Sequence, residues 1–449
     1  MESQLNSKLA EPSNIIECIL HSTGGEEPVD LDILPGVVEV HYYQSVLDCT
    51  VRVTLTVVDS GYRLGGTDDT SILDSDSLRA SVGEFVSLSF EDNQGNGVIF
   101  SRGTKNALMV KEIYGVGADV SKEVFKIDLW SEEATYNNLR GAKVNGSYND
   151  KPSKIVEEIL RKNLKTNKTL NIEKTQNNIR YIGNKQKPFY SCVELASKST
   201  PSQSKTAGIL AGFFFYETSL GYNFKSIDTL FAQNPTRKYI ANETTQLPTG
   251  YTGKIYNYQF TSNYNLEDIL MLGSFTDTTL TTYNPVTEGT TVQTFDHTSQ
   301  QLGFNNAGKR FPRIAGGWKI KNESASYTIV QDNGSLPQGR TVQEQLNRSL
   351  DQNLTPEQVV RQARGRYNQM YSNKLTLTIA GDVGLNVGDV IFCDFPEITS
   401  DKGNIDPSTT RSGLYMITDL CHRLTTDGTW SRLYCVRDSF GRKPINQGE

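Results

Sequence analysis

At 449 residues the chain is long enough for two to four ordinary domains, so burial of a core is not limiting. Hydrophobic residues make up 36%, the rest runs to Thr, Ser, Asn and Gln, and Tyr (21) and Phe (18) far outnumber Trp (3) and Met (5), a balance that favours polar, folded sheet over helix. A formal charge of −6 without a long basic run leaves no electrostatic footprint for nucleic acid, and nothing in the chain reads as a membrane span or secretory leader.

The expected class is mainly β with α+β insertions. Residues 1–140 read as a first β domain. In residues 51–57 (VRVTLTV) strict alternation puts Val51, Val53, Leu55 and Val57 on one face, and Asp59-Ser60-Gly61 ends the strand as a turn. Val82-Gly83-Glu84 leads into a strand with Val86, Leu88 and Phe90 on one face, and two more strands are expected over residues 108–113 and 124–130. One sheet, closed on itself, would use all of these.

Residues 141–206 change character. Ser153 can cap a helix reaching Leu164, with Ile155, Val156, Ile159, Leu160 and Leu164 as its apolar stripe, and a second helix follows Pro188. Residues 199–206 read as a polar linker. A hairpin over residues 212–227 then opens a second barrel domain, expected from residues 207–239 and 371–449. Between its parts lies a polar inserted α+β domain, residues 240–370, ending in a helix that starts at Thr355-Pro356-Glu357-Gln358 with Val359, Val360, Ala363, Tyr367 and Met370 turned inward.

After that helix the first domain is echoed. Residues 374–379 (KLTLTI) repeat 51–57, with Leu375, Leu377 and Ile379 inward. Val387-Gly388-Asp389 opens residues 390–395, carrying Ile391, Cys393 and Phe395, as Val82-Gly83-Glu84 opens 85–90. Residues 413–418 and 431–437 stand where 107–113 and 124–131 stood. Any two antiparallel sheets share alternation and a Gly-acidic turn; the conserved order of four elements favours duplication of one barrel. Three copies of such a chain, packed head to tail, would present six barrel positions and could join a sixfold partner to a threefold one.

The helix with Val156, Ile159 and Leu160, residues 187–196 (KPFYSCVELA), the hairpin 212–227 and the block 375–396 together resemble the baseplate hub protein of T-even-type contractile-tailed phages. The resemblance spans most of the chain and is one of pattern, without a catalytic signature. It implies two tail-tube-like antiparallel β-barrels plus inserted smaller domains, in a homotrimeric ring that mimics the tail tube. Partners would be the central spike trimer, tail tube or tube-initiator proteins and baseplate wedge proteins. The location would be the virion tail, after assembly in the host cytoplasm, with DNA passing through the lumen and no specific contact to nucleic acid or membrane. The alternatives are a tail-associated cell-wall hydrolase or the hub of a related injection or secretion device.

No catalytic, cofactor or metal residue is nominated, and no cofactor is expected. Cys18, Cys49, Cys192, Cys393, Cys421 and Cys435 form no CxxC pair and read as reduced thiols. His21, His41, His297 and His422 are not spaced as a metal or relay motif. Cys421-His422 lie next to each other on a strand and face opposite ways, expected as a core thiol beside a surface imidazole. Asp68, Asp69, Asp74 and Asp76, or Asp401 and Asp406, lack the spacing of a calcium loop. The aromatic run at residues 213–216 lacks the basic groove of a base-stacking platform and reads as a buried strand.

Overall fold

The computed structural model describes residues 11–23, 29–59, 81–119, 122–202, 212–242, 247–262, 278–284, 289–295, 306–309, 326–330, 341, 343, 363, 365–397 and 407–441. His297, the cap at Thr355-Pro356-Gln358 and both aspartate groups (Asp68 to Asp76; Asp401 and Asp406) lie outside those residues.

The first region is built from β1 (Asn14–Ser22), β2 (Val29–Asp32), β3 (Val37–Ser45), β4 (Arg52–Asp59), β5 (Phe85–Glu91), β6 (Gly97–Phe100), β7 (Leu108–Asp119) and β8 (Lys122–Ser131). They pair in the order β2-β1-β5-β7-β8-β4-β3, with β6 against β5. Alternation does the sorting: in β4 every second residue is buried, and Val51, Val53, Leu55 and Val57 share one core with Val86, Leu88 and Phe90. The expected closure is incomplete. Among the described residues no ladder joins β1 to β3; the β1–β2 ladder runs on through Ile33 N–H to the Cys18 carbonyl (3.0 Å), and the chain then turns into β3 through a Pro-containing 3-10 segment, Leu34–Gly36.

A connecting region follows with α1 (Glu132–Asn138), β9 (Ser147–Asp150), α2 (Pro152–Lys162), β10 (Leu170–Ile172), β11 (Ile179–Ile182) and α3 (Pro188–Ser197). Pro152 and Pro188 open α2 and α3, where a missing N–H costs nothing. Ser153 is therefore inside α2 rather than its cap, and its Oγ accepts from Thr175 Oγ1 (3.2 Å). Ser199 and Thr200, expected in a linker, are buried against the end of α3.

The hairpin β12 (Phe213–Thr218) and β13 (Gly221–Ser226) joins β10 in a separate three-stranded sheet. It stands between two cores: Phe213, Phe215, Tyr222 and Phe224 pack with α2 and α3, while Phe214 and Tyr216 face the second barrel. Helix α4 (Ile227–Phe231) follows, capped by Ser226 Oγ, which accepts from Thr229 N–H (3.2 Å).

The second barrel comprises β14 (Arg237–Ile240), β15 (Gly253–Ser262), β19 (Asn373–Ala380), β20 (Val390–Asp394), β21 (Gly413–Thr425) and β22 (Thr429–Arg437). The pairings β20-β14-β15-β19-β22-β21 return to β20, so this ring is closed. Strand β15 lies within the span read as an insert. Between β15 and β19 come β16 (Thr278–Asn284), β17 (Gly289–Phe295) and β18 (Ser326–Val330), a sheet of their own, and helix α5 (Gly365–Met370). Leu375, Leu377, Ile379, Ile391, Cys393 and Phe395 share one core, each at most 2% exposed.

The two barrels repeat one another down to their irregularities. Ladder β4-β8-β7-β5 matches β19-β22-β21-β20 strand for strand. Leu55 opposes Ile127 as Leu377 opposes Leu433. A bulge between Val110 and Glu112 in β7 recurs between Ile417 and Asp419 in β21, and one between Val37 and Glu39 in β3 recurs between Ile255 and Asn257 in β15. Gly83 N–H donates to the Val110 carbonyl and Val110 N–H to the Glu84 carbonyl; Gly388, Ile417 and Asp389 make the same two bonds. Gly83 (φ +94°) and Gly388 (φ +86°) hold the left-handed position these turns require. Shared alternation is common to all sheets; two matched pairs of bulges and a matched pair of glycine turns are not. One departure is orientation: β14 runs parallel to β20, whereas β1 runs antiparallel to β5.

Candidate assembly interface

The barrels meet through a continuous ladder. The second half of β21 pairs with β3, Asp419 opposite Ser45 through Thr425 opposite Glu39. Val40, Tyr42 and Gln44 of β3 and Leu420, His422 and Leu424 of β21 point inward and are buried. Side chains lock this seam. Gln44 Nε2 donates to Asn386 Oδ1 (3.0 Å), and Gln44 Oε1 accepts from Val387 N–H (3.1 Å), so one glutamine of the first barrel holds the glycine turn of the second. Asp92 Oδ2, in the β5–β6 turn, accepts from Val383 N–H (2.8 Å).

The opposite face of the seam lines a cavity of about 550 Å³ with His41, Tyr43, Asp48, Arg52, Cys421 and Arg423 among its walls. Arg423 Nε donates to Glu39 Oε1 (2.6 Å), which also lies 3.0 Å from His41 Nε2. Burial would raise the Glu39 carboxyl, but the hydrogen bond and charge of Arg423 outweigh it and hold it below the usual carboxylate range.

Cys421 and His422 do face opposite ways, but with the roles exchanged from those expected. The imidazole is the fully buried member, stacked on Tyr42 (5.9 Å, 18°) and bonded to Ser431 Oγ (2.8 Å); the thiol is half-buried on the cavity wall. Desolvation pushes Cys421 up to about 11, so it is a neutral thiol, and pulls His422 down to about 4, so it is a neutral ring.

One arrangement went unread in the sequence. His21 Nδ1 lies 2.7 Å from Asp30 Oδ1 and His21 Nε2 lies 2.7 Å from Ser87 Oγ, a Ser-His-Asp chain assembled by the β2-β1-β5 pairing. The order is that of a nucleophilic triad, but the surroundings are not. Ser87 is buried, its Oγ accepts from Arg102 N–H (3.3 Å), and Asp30 is 67% exposed rather than enclosed. A nucleophile needs open approach and donors aimed at the developing oxyanion; here the one nearby donor occupies the serine oxygen itself. The chain is a cross-strand tie.

Two buried charge clusters hold the regions together. Lys168 lies between Glu133 (2.7 Å) and Glu217, and Glu217 accepts from Val51 N–H (3.0 Å), linking the connecting region to β4. Although burial opposes its charge, Lys168 is held protonated above its ordinary range by the two carboxylates, while burial raises Glu217. Arg366 of α5 likewise bridges Asp228 (3.0 Å) and Asp438. These read as clamps: each cation is buried between two carboxylates. Among the described residues no three His, Cys, Asp or Glu side chains are grouped to hold a metal, and no helix is long and apolar enough to cross a membrane.

No family model and no curated protein sequence matches the chain. Solved structures do. The 43 kDa tail protein of prophage MuSo2 from Shewanella oneidensis aligns over 94% of this chain and 98% of its own with 11% identity and a TM-score of 0.51. A tail protein from Neisseria meningitidis MC58 aligns over 94% and 96% with 9% identity and a TM-score of 0.49. The E. coli c3393 protein, described as a component of the type VI secretion system with structural similarity to T4 bacteriophage tail proteins gp27 and gp5, aligns over 95% and 79% with 11% identity and a TM-score of 0.42. At these identities the likeness is one of fold, and the first neighbour carries it: the chain has the fold of a phage tail protein.

Proposed function

We propose that the chain is a structural hub subunit of a contractile phage tail, a non-enzymatic trimer that adapts a sixfold tail tube to a threefold central spike. The observation that carries this reading is the duplication, with bulges and glycine turns at matching positions. A partner with sixfold symmetry meets equivalent surfaces only if the subunit offers two copies of one barrel in equivalent settings, and a ring of three such chains supplies six. The chain's partners would be the spike trimer on one side, tube or tube-initiator proteins on the other and wedge proteins at the rim, with DNA passing through the lumen. The hub of a related injection device would use the same ring and differ in what it carries.

Native mass spectrometry of the full chain, alone and with its spike, tests the proposal. Trimers are expected. A chain that stays monomeric at tens of micromolar in both preparations overturns it.

A further inference from the structure

Each barrel has two kinds of docking edge, and inside the chain only one of each is used. The β21 edge of the second barrel pairs with the β3 edge of the first. The counterpart of β21 is β7, and the counterpart of β3 is β15, by the matched ladders and bulges described above. Among the described residues both counterparts are open: beyond the bulge β7 pairs only with β8, and β15 pairs with β14 through Gly253 and Lys254 alone, leaving the outer edge from 257 to 261 without a strand.

The exposure of these edges follows from the missing neighbour. Tyr42, Val40 and Leu420 are buried in the seam, whereas Tyr258, the counterpart of Val40, is 40% exposed; Tyr114 and Val116 on β7 are 40% and 57% exposed. An unpaired edge carrying exposed aromatic and branched side chains invites another strand.

We propose that β7 of one copy pairs antiparallel with β15 of the next, repeating between chains the β21–β3 ladder within each chain. This deepens, and rests on, the ring reading: it names the surface through which the ring closes. The register transfers through Gly115; there β7 has a second bulge, between Gly115 and Gly117, that β21 lacks, so Val116 has no counterpart and Gly117 takes the place of Arg423. Cys421 opposite Tyr43 becomes Tyr114 opposite Thr261, His422 opposite Tyr42 becomes Gly115 opposite Phe260, and Arg423 opposite His41 becomes Gly117 opposite Gln259. The fit is complementary in size, since a glycine faces Phe260 where two rings stack within the chain. The Arg423–Glu39 ion pair has no counterpart, because Gly117 and Asn257 take those places; the joint between chains is uncharged there.

Val46 N–H donates to the Thr418 carbonyl (2.8 Å), so with the alternation of an antiparallel ladder Cys421–Tyr43 falls on a non-hydrogen-bonded site. There Cα atoms come within about 4.5 Å, a spacing a disulfide can bridge. The test is the full-length double variant Tyr114→Cys/Thr261→Cys under mild oxidation, read on non-reducing gels beside native mass spectrometry. Tyr114 and Thr261 are exposed, so folding is not at stake. Linked trimers are expected at about tenfold the yield of either single variant or of the out-of-register pair Tyr114→Cys/Gln259→Cys. A native trimer that fails to link, or links better through 114 and 259, overturns this pairing and leaves the ring standing. A monomer by native mass spectrometry overturns both.

Discussion

The two barrels share strands, bulges and turns, yet one is closed by hydrogen bonds and the other is not. In the second, β14 lies between β20 and β15 and completes the ring. In the first, β3 carries β4 on one edge and gives the other to β21, leaving the gap to β1 without a ladder. One strand can close a barrel and dock along different stretches: β21 pairs with β20 through Gly413–Met416 and with β3 through Asp419–Thr425, each stretch satisfying its own backbone groups. In the first barrel β3 gives residues 39–45 to docking, and among the described residues its remaining end has no ladder to β1.

The largest test of this contrast removes a side-chain clamp. Glu217 reaches β4 through Val51 N–H only because Lys168 neutralises it. Lys168→Met leaves two buried carboxylates facing each other and is expected to cost about 3–5 kcal/mol, measured by urea unfolding. A loss below 1 kcal/mol would mean that the first barrel does not depend on the cluster.

Next in size is a matched pair. Gly83→Ala and Gly388→Ala impose the same backbone strain, about 1–2 kcal/mol for a left-handed non-glycine residue. At Gly83 the new Cβ meets open space; at Gly388 it would lie 2.3 Å from the Tyr216 hydroxyl, which is buried. Forced repacking adds about 1–3 kcal/mol in the second barrel alone. Equal losses in the two variants would show that Tyr216 moves freely and that the turn is not packed as described.

The third concerns pH. His422 is buried and neutral, with its pKa lowered to about 4 chiefly by burial, whereas its counterpart Gly115 cannot titrate. The unfolded chain, with an ordinary imidazole near 6.5, takes up a proton before the native one does. The stability contributed by the neutral ring is therefore complete above about pH 6.5 and is lost as pH falls toward 4. Between pH 7 and pH 5 this amounts to about 2 kcal/mol. His422→Gln should flatten that part of the stability curve, and parallel curves for the two proteins would refute the assignment.

Much of this was legible in the sequence, and the parts that were not have identifiable causes. The alternation at Leu55 and Leu377 and the Gly-acidic turns announced both barrels, because one buried face imposes period two and a left-handed turn selects glycine. Strand β15 alternates, with Tyr256, Tyr258 and Phe260 against Asn257, Gln259 and Thr261, but it lies in a Thr-, Asn- and Gly-rich stretch whose overall composition masks it. The exchange between Cys421 and His422 has the bulge after Ile417 as its cause, since one extra residue reverses the phase: Tyr415 and Ile417 point inward before it, Leu420 and His422 after it. The seam itself joins residues more than 370 positions apart, and so do no local signals. The His21–Asp30–Ser87 chain is assembled only by strand order.

The smallest expected effect separates two versions of one device. Glu84 and Asp389 each accept the backbone N–H that opens their glycine turn, from Ser81 (2.8 Å) and Asn386 (3.0 Å). Glu84 does more: it also accepts from Thr23 N–H (2.7 Å) and Ser22 Oγ (3.2 Å), tying the end of β1 to the start of β5 on the strand that lacks a ladder to β3. In the closed barrel that edge is held by β14, and Asp389 is left with the turn. Glu84→Ala should therefore cost about 2 kcal/mol and Asp389→Ala about 1, both read from denaturant midpoints. If the order is reversed, the end of the β1–β5 ladder is held by something other than this carboxylate.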